Sequence, residues 1–252
     1  MSISAEESRC PNCDAESAGP YCPNCGQDNR QPILDARRIA RDLVQNLVGW
    51  DSALAHTFSG LVRSPGHLVS EYVSGRRRRF INPARFCFIS LALWFLVTRT
   101  LKVNPMDALG IKITGSSSDS AAQVAAEVRE FIGRHLDVLM FLSLPLRALL
   151  LRFFFRASGK NLAECLVLVL YVGGFGFILG ALLTPLHLLG QVWVVPLRAG
   201  LALIWSAWAA HGFFERGWWS TLWRVGFVSV FHILGTVLFF AAVAVPWVWA
   251  TR

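Results

Sequence analysis

Apolar and polar positions divide this chain into a polar leading part and a long apolar remainder. From residue 84 onward, apolar runs recur at about 84–101, 136–155, 162–188, 192–214 and 225–249. Each approaches the roughly 20 residues that cross a bilayer core as a helix. The longest polar interval, 102–134, carries GSSSDS and a helix-like AAQVAAEVREFIG, and reads as an extracytoplasmic loop. Pro145 predicts a kink in the second run, and Arg147 is expected to snorkel toward Arg152, Arg156 and Lys160 in a basic inner loop. In the third run, Gly176 and Gly180 have the small-x3-small spacing of a close helix contact. The pattern predicts an all-α polytopic membrane bundle of about five transmembrane helices.

Ahead of the apolar runs, residues 32–83 form a connector. Ile39, Leu43, Leu47, Trp50, Leu54 and Phe58 fall near one helical face, with Arg37, Arg38, Arg41 and Asp42 largely elsewhere. An amphipathic helix of this kind lies in a membrane interface or docks on the transmembrane domain. Ser64-Pro65-Gly66 breaks it, and HLVSEYVSG reads as a short helix closed by Gly75. Then come Arg76, Arg77, Arg78 and Arg79, immediately before the first span. Arginines in that position anchor topology from the cytosolic side and face anionic lipid headgroups. Asn82-Pro83 opens the span, since proline suits a helix's first turn.

Composition agrees with this partition. Hydrophobic residues make up 54% of the chain and charged residues only 16%, against about 25% charged in soluble domains. The net charge of +8 could point to nucleic acid, but the basic residues gather at the ends of apolar runs, so nucleic-acid binding is the weaker reading. The start, MSISAEESRCPNC, lacks the basic and apolar regions of a signal peptide. These features predict a multi-pass protein of the inner membrane with a cytoplasmic N-terminus and an extracytoplasmic C-terminus.

Residues 1–31 hold the clearest chemistry. Cys10-Pro-Asn-Cys13 and Cys22-Pro-Asn-Cys25 repeat one knuckle across eight intervening residues. Paired CxxC knuckles in a reducing compartment point to a structural zinc ribbon with Cys10, Cys13, Cys22 and Cys25 as its four ligands. Four protein ligands leave no open position for a substrate, so one Zn2+ ion would fold the segment and not catalyse. What the ribbon touches stays open among DNA, RNA, a protein partner and its own membrane domain.

The order of these features resembles a family of uncharacterised bacterial membrane proteins catalogued as a domain of unknown function. CPNC, YCPNCGQ and HTFSGLVRSPGHLVSEYVSGRRRRFINPARFCFISLALWF carry the likeness. The matching positions are Thr57 and Leu61, Pro65 and Gly66, Glu71 and Tyr72, Gly75 to Arg77, and Pro83. LPLRALLLRFFF and NLAECLVLVLYVGGF are similar to the family's second and third spans. Relatives often place a histidine after the glutamate and another about six residues on; this chain has Cys165 after Glu164, and Tyr171. The resemblance implies architecture and brings no activity with it.

Polar groups at membrane depth are Glu164, His187, His211, His232 and Arg198. Most lie near a predicted helix end, and His232 lies deeper, where a hydrogen bond to a neighbouring helix is the expected role. Cys87 and Cys165 read as small buried apolar residues. No residue set recommends itself as catalytic. The sequence supports an inner-membrane scaffold, sensor or assembly factor whose zinc ribbon is a binding platform. The alternatives are a small-solute or lipid transporter, and a membrane-bound enzyme acting on lipid. Transport predicts a cavity at Arg147 or His232, whereas a scaffold predicts close packing there.

Overall fold

A computed structural model of the chain describes residues 8–17, 19–27, 52–110, 119–189 and 193–250. Two short antiparallel strands, β1 (Ser8–Arg9) and β2 (Glu16–Ser17), pair Ser8 with Ser17 and Arg9 with Glu16. The described residues then form eight α-helices: α1 (Ser52–Arg63), α2 (Pro65–Val73), α3 (Pro83–Thr100), α4 (Pro105–Ala108), α5 (Asp119–Phe154), α6 (Leu162–Leu183), α7 (Val194–Phe214) and α8 (Trp218–Ala250). A 3-10 stretch, Thr184–Leu189, extends α6.

Local sequence sets the helix starts. The Asn82 side chain accepts from the backbone N–H groups of Ala84 and Arg85, with Pro83 in the first turn. Asn161 and Glu164 form a reciprocal capping box at the start of α6. Glu164, a candidate polar group at membrane depth, is thus a helix cap.

Five long helices stand where the five apolar runs lie. Two stretches, Leu162–Leu189 and Trp218–Ala244, are long and apolar enough to cross a membrane; that criterion does not support five spans. The second and fifth elements are longer than the sequence suggested. AAQVAAEVREFIG joins the second apolar run in one 36-residue helix, since no proline interrupts residues 119–144 and Ala, Leu, Glu, Arg, Gln and Met supply over half of residues 121–144. Likewise α8 begins at Trp218, just after Gly217.

Residues 32–51 of the expected amphipathic connector lie outside the described residues. Its described remainder, α1, buries Thr57 and Leu61, while Phe58, on the apolar face expected at the membrane interface or against the bundle, is 43% exposed. Thr57 can take the inner position because its hydroxyl is paired on both sides: it donates to the Ala53 carbonyl at 2.7 Å and accepts from the Ile81 N–H at 3.0 Å.

The main core is shared by α2, α3, α5, α6 and α7, with Trp94, Tyr171, Phe155 and Phe213 its largest fully buried side chains. Helix α3 lies against α6 at Gly174, where a Cβ would come within 2.7 Å of the Phe86 ring and 3.0 Å of Cys87 Cα. Helix α2 crosses α7 at Gly66, whose absent Cβ would meet Ala209 O and Phe213 N at 2.6 Å each. Of the pair expected to make a close helix contact, a Cβ on Gly180 would stand 3.2 Å from Trp94, but one on Gly176 would have nothing within 4 Å.

Candidate metal centre and its mounting

The two knuckles fold alike. Cys10 N–H bonds Ala15 O and Asp14 N–H bonds Cys10 O; Cys22 N–H bonds Gln27 O and Gly26 N–H bonds Cys22 O, all at 2.8–2.9 Å. The residue closing each turn is left-handed, Asp14 at φ 58° and Gly26 at φ 70°. This repeated turn points both thiols of each pair inward. All four Sγ atoms lie within 4.8 Å of one another, close enough to hold one metal ion. Two edges of the cluster, Cys10–Cys25 at 3.7 Å and Cys13–Cys22 at 3.6 Å, are far longer than a disulfide bond of about 2.05 Å. They match the edge of about 3.8 Å in a tetrahedron with zinc–thiolate arms of about 2.3 Å.

The two thiols of the second knuckle differ in acidity before a metal binds. A hydrogen bond from the Cys25 backbone N–H holds the Cys22 thiol down to about 6, whereas desolvation pushes the Cys25 thiol up to about 11. A cation would therefore meet a preformed thiolate at Cys22 and displace a proton from Cys25.

The cysteine head is seated on the arginine collar. Gln27 Nε2 donates to the Gly75 carbonyl at 2.8 Å, and Arg78 N–H donates to Gln27 Oε1 at 3.4 Å. A Cβ on Gly75, at φ 110°, would stand 3.3 Å from Pro11 in the first knuckle. Both knuckles thus touch the turn between α2 and α3. The four arginines divide here. Arg76 pairs with Glu71 at 3.2 Å and Arg77 folds back over the Tyr72 ring, while Arg78 and Arg79 are exposed.

Beneath the collar, Ile81 is held at both ends of its backbone. Its N–H bonds Thr57, and its carbonyl accepts from the buried Tyr171 hydroxyl at 2.5 Å. The Tyr171 ring also meets Tyr72 edge-on at 5.6 Å. Tyr171→Phe should leave the Ile81 carbonyl unpaired in a buried setting and cost about 1–3 kcal/mol. A lower melting midpoint in detergent, with metal content unchanged, is the expected result; an unchanged midpoint would show the bond contributes nothing.

The remaining candidates fall in two places. His211 donates from Nδ1 to the Arg216 carbonyl and stacks on Trp218 at 4.2 Å, fastening the turn between α7 and α8. His232 Nε2 lies 3.1 Å from the Ser143 carbonyl, the expected bond to a neighbouring helix. Arg147 departs from its expected snorkelling: Nη2 turns to Ser206 on α7 at 2.9 Å. Arg147, His232 and Arg198 all line one cavity of about 170 Å³ among α5, α6, α7 and α8. Sequence reading took these three residues singly. The available signal was the helical spacing that puts Ser143 and Arg147 on one face of α5 and Arg198, Ala202 and Ser206 on one face of α7.

Residues 51–95 match a family model described as "Protein of unknown function (DUF3667)". Comparison with curated proteins and with solved structures finds no match. The matched stretch contains α1, α2, the collar and most of α3. It includes residues of the joint: Thr57 and Tyr72 in the clasp, Gly66 in the crossing, Glu71 in the ion pair and Gly75 under the ribbon.

Proposed function

We propose that the chain is an integral inner-membrane protein in which a zinc-bound ribbon is mounted on the cytosolic end of a five-span bundle and serves as a binding platform. Gln27 carries this reading: one side chain spends both its donor and its acceptor on the collar, tying the metal head to the membrane domain. The proposed zinc is structural. Its four thiolates would come from Cys10, Cys13, Cys22 and Cys25, and the match of the sulfur edges to zinc–thiolate geometry supports that choice.

The membrane assignment draws support from where the apolar side chains lie. The window on α8 is only 17% buried, although it is apolar enough to span, and Leu182, Leu238 and Leu96 are each more than 60% exposed. A soluble monomer rarely leaves so continuous an apolar surface in water. Exposed Arg78 and Arg79 would meet anionic headgroups at the inner face. Labelling a cysteine introduced at Ser117 tests the topology: reagent added outside intact cells should reach it, and labelling only after permeabilisation would invert the orientation. Crosslinking from Tyr21, 57% exposed on the ribbon, in native membranes would identify what the platform holds.

The cavity supports a second reading, a small-solute or lipid transporter. Arg147 and His232 line open space where a pure scaffold would be packed shut.

A further inference from the structure

We propose that the cavity among α5, α6, α7 and α8 is a binding site for a phosphate-type oxyanion, held by Arg147 and Arg198. The argument begins with charge. Two guanidiniums face the same interior space, and no carboxylate lines it among the described residues. Arg147 has five N–H donors and makes one hydrogen bond, to Ser206 Oγ. Arg198 gives Nη1 to the Ala108 carbonyl at 2.9 Å and lies over the Trp94 ring at 5.4 Å. Neither arginine has a carboxylate partner among the described residues. Withdrawing a cation from water is costly unless an opposite charge compensates it, so two such cations around one cavity call for an anion.

The other wall groups suit the same ligand. Trp205 adds the aromatic part of the wall, and its Nε1 is buried without a hydrogen-bond partner among the described residues. Ser206 already gives its own proton to the Ala202 carbonyl and receives one from Arg147, which fixes the guanidinium toward α7. Along α7, Arg198 and Ser206 are eight residues apart, about 12 Å of helix. A wall of donors with charge at both ends recognises oxygens bearing negative charge, and guanidinium does so with two parallel bonds.

Room for the ligand comes from Gly176, whose Cβ position is empty for 4 Å around. The 170 Å³ space exceeds the roughly 150 Å³ of an engineered cavity that holds benzene, so a headgroup or a small organic anion fits. The ligand can come from water as a free anion or from the bilayer as an anionic headgroup. This inference deepens the second reading but does not require that the ligand be carried across.

The test uses the purified full chain in nanodiscs. One arm titrates inorganic phosphate into phosphatidylcholine discs against sodium chloride at equal ionic strength; the other compares phosphatidylcholine with equal parts phosphatidylcholine and phosphatidic acid. The readouts are the tryptophan-detected melting midpoint and ligand retained by native mass spectrometry. Wild type should be stabilised by at least one probe, phosphate alone marking a water-borne ligand and phosphatidic acid alone a lipid-borne one. Arg147→Gln should weaken that binding about tenfold to a hundredfold, as expected for losing a charged hydrogen bond. Gly176→Leu, which fills the cavity without touching charge, should abolish it. Gly226→Ala, on α8 outside the cavity lining and with nothing within 4 Å of the added Cβ, should leave it in place. Wild type indifferent to both probes, or a response that persists in Arg147→Gln and Gly176→Leu, overturns the proposal. Membrane embedding is read separately from the requirement for detergent during extraction, so failure here leaves that reading intact.

Discussion

Gly66→Val should leave no folded helical bundle, and Gly66→Ala should cost about 3 kcal/mol, the upper end for overpacking a tight site. The added methyl would sit 2.6 Å from Ala209 O, 2.6 Å from Phe213 N and 2.7 Å from Gly212 C. All three are backbone atoms of α7, so no side chain can rotate aside, and relief requires the two helices to part. Separation would in turn loosen Leu68, Val69 and Tyr72, which α2 buries in the main core. Two other glycines calibrate the claim. Gly212→Ala brings a Cβ to 3.3 Å from Gly66 Cα, a milder intrusion, while Gly226 on α8 has nothing within 4 Å. Gly226→Ala should be neutral or stabilising by up to about 1 kcal/mol, the helix-propensity difference. Melting midpoints in detergent should therefore run Gly226→Ala, Gly212→Ala, Gly66→Ala in descending order. Equal midpoints for the first and last would mean that α2 is not seated on α7.

Loss of the proposed zinc should be comparably severe for the head. Structural zinc supplies roughly 10–16 kcal/mol in small cysteine modules, which have too little apolar core to fold alone. Cys22→Ser, or a strong chelator, should reduce zinc from about one ion per chain to near none. The ribbon should unfold with it. Because Gln27 is fixed by the second knuckle and bonds Gly75 and Arg78, unfolding should also release the collar. Tryptic cleavage at Arg76–Arg79 should then accelerate together with metal loss, while the bundle keeps its melting midpoint. Metal lost without any change in cleavage would show that the head does not hold the collar.

How much of this could be read beforehand depended on the kind of signal. The cysteine cluster was legible because CPNC appears twice, and a repeated turn has one geometry. Asn82-Pro83 was equally plain, since capping is a local matter of side chain and next turn. The Gly66 crossing was not: proline-glycine reads as a break, and only the partner helix reveals that the glycine is there for contact. Gly176 and Gly180 show the same limit. Their spacing fits close packing, yet one touches Trp94 and the other borders a cavity, because the neighbours decide what a missing side chain does. Arg147 was misread for a related reason. Distance from a helix end suggested snorkelling, but rotation about the α5 axis turns it toward Ser206.

Helix α5 is also taller than a bilayer. Its 36 residues reach about 54 Å, against a hydrocarbon slab of about 30 Å. On the proposed topology, its first turns stand as a mast on the far side of the membrane, opposite the metal head. The molecule thus presents a landmark to each compartment, and a side view in the electron microscope should distinguish its two poles without any label.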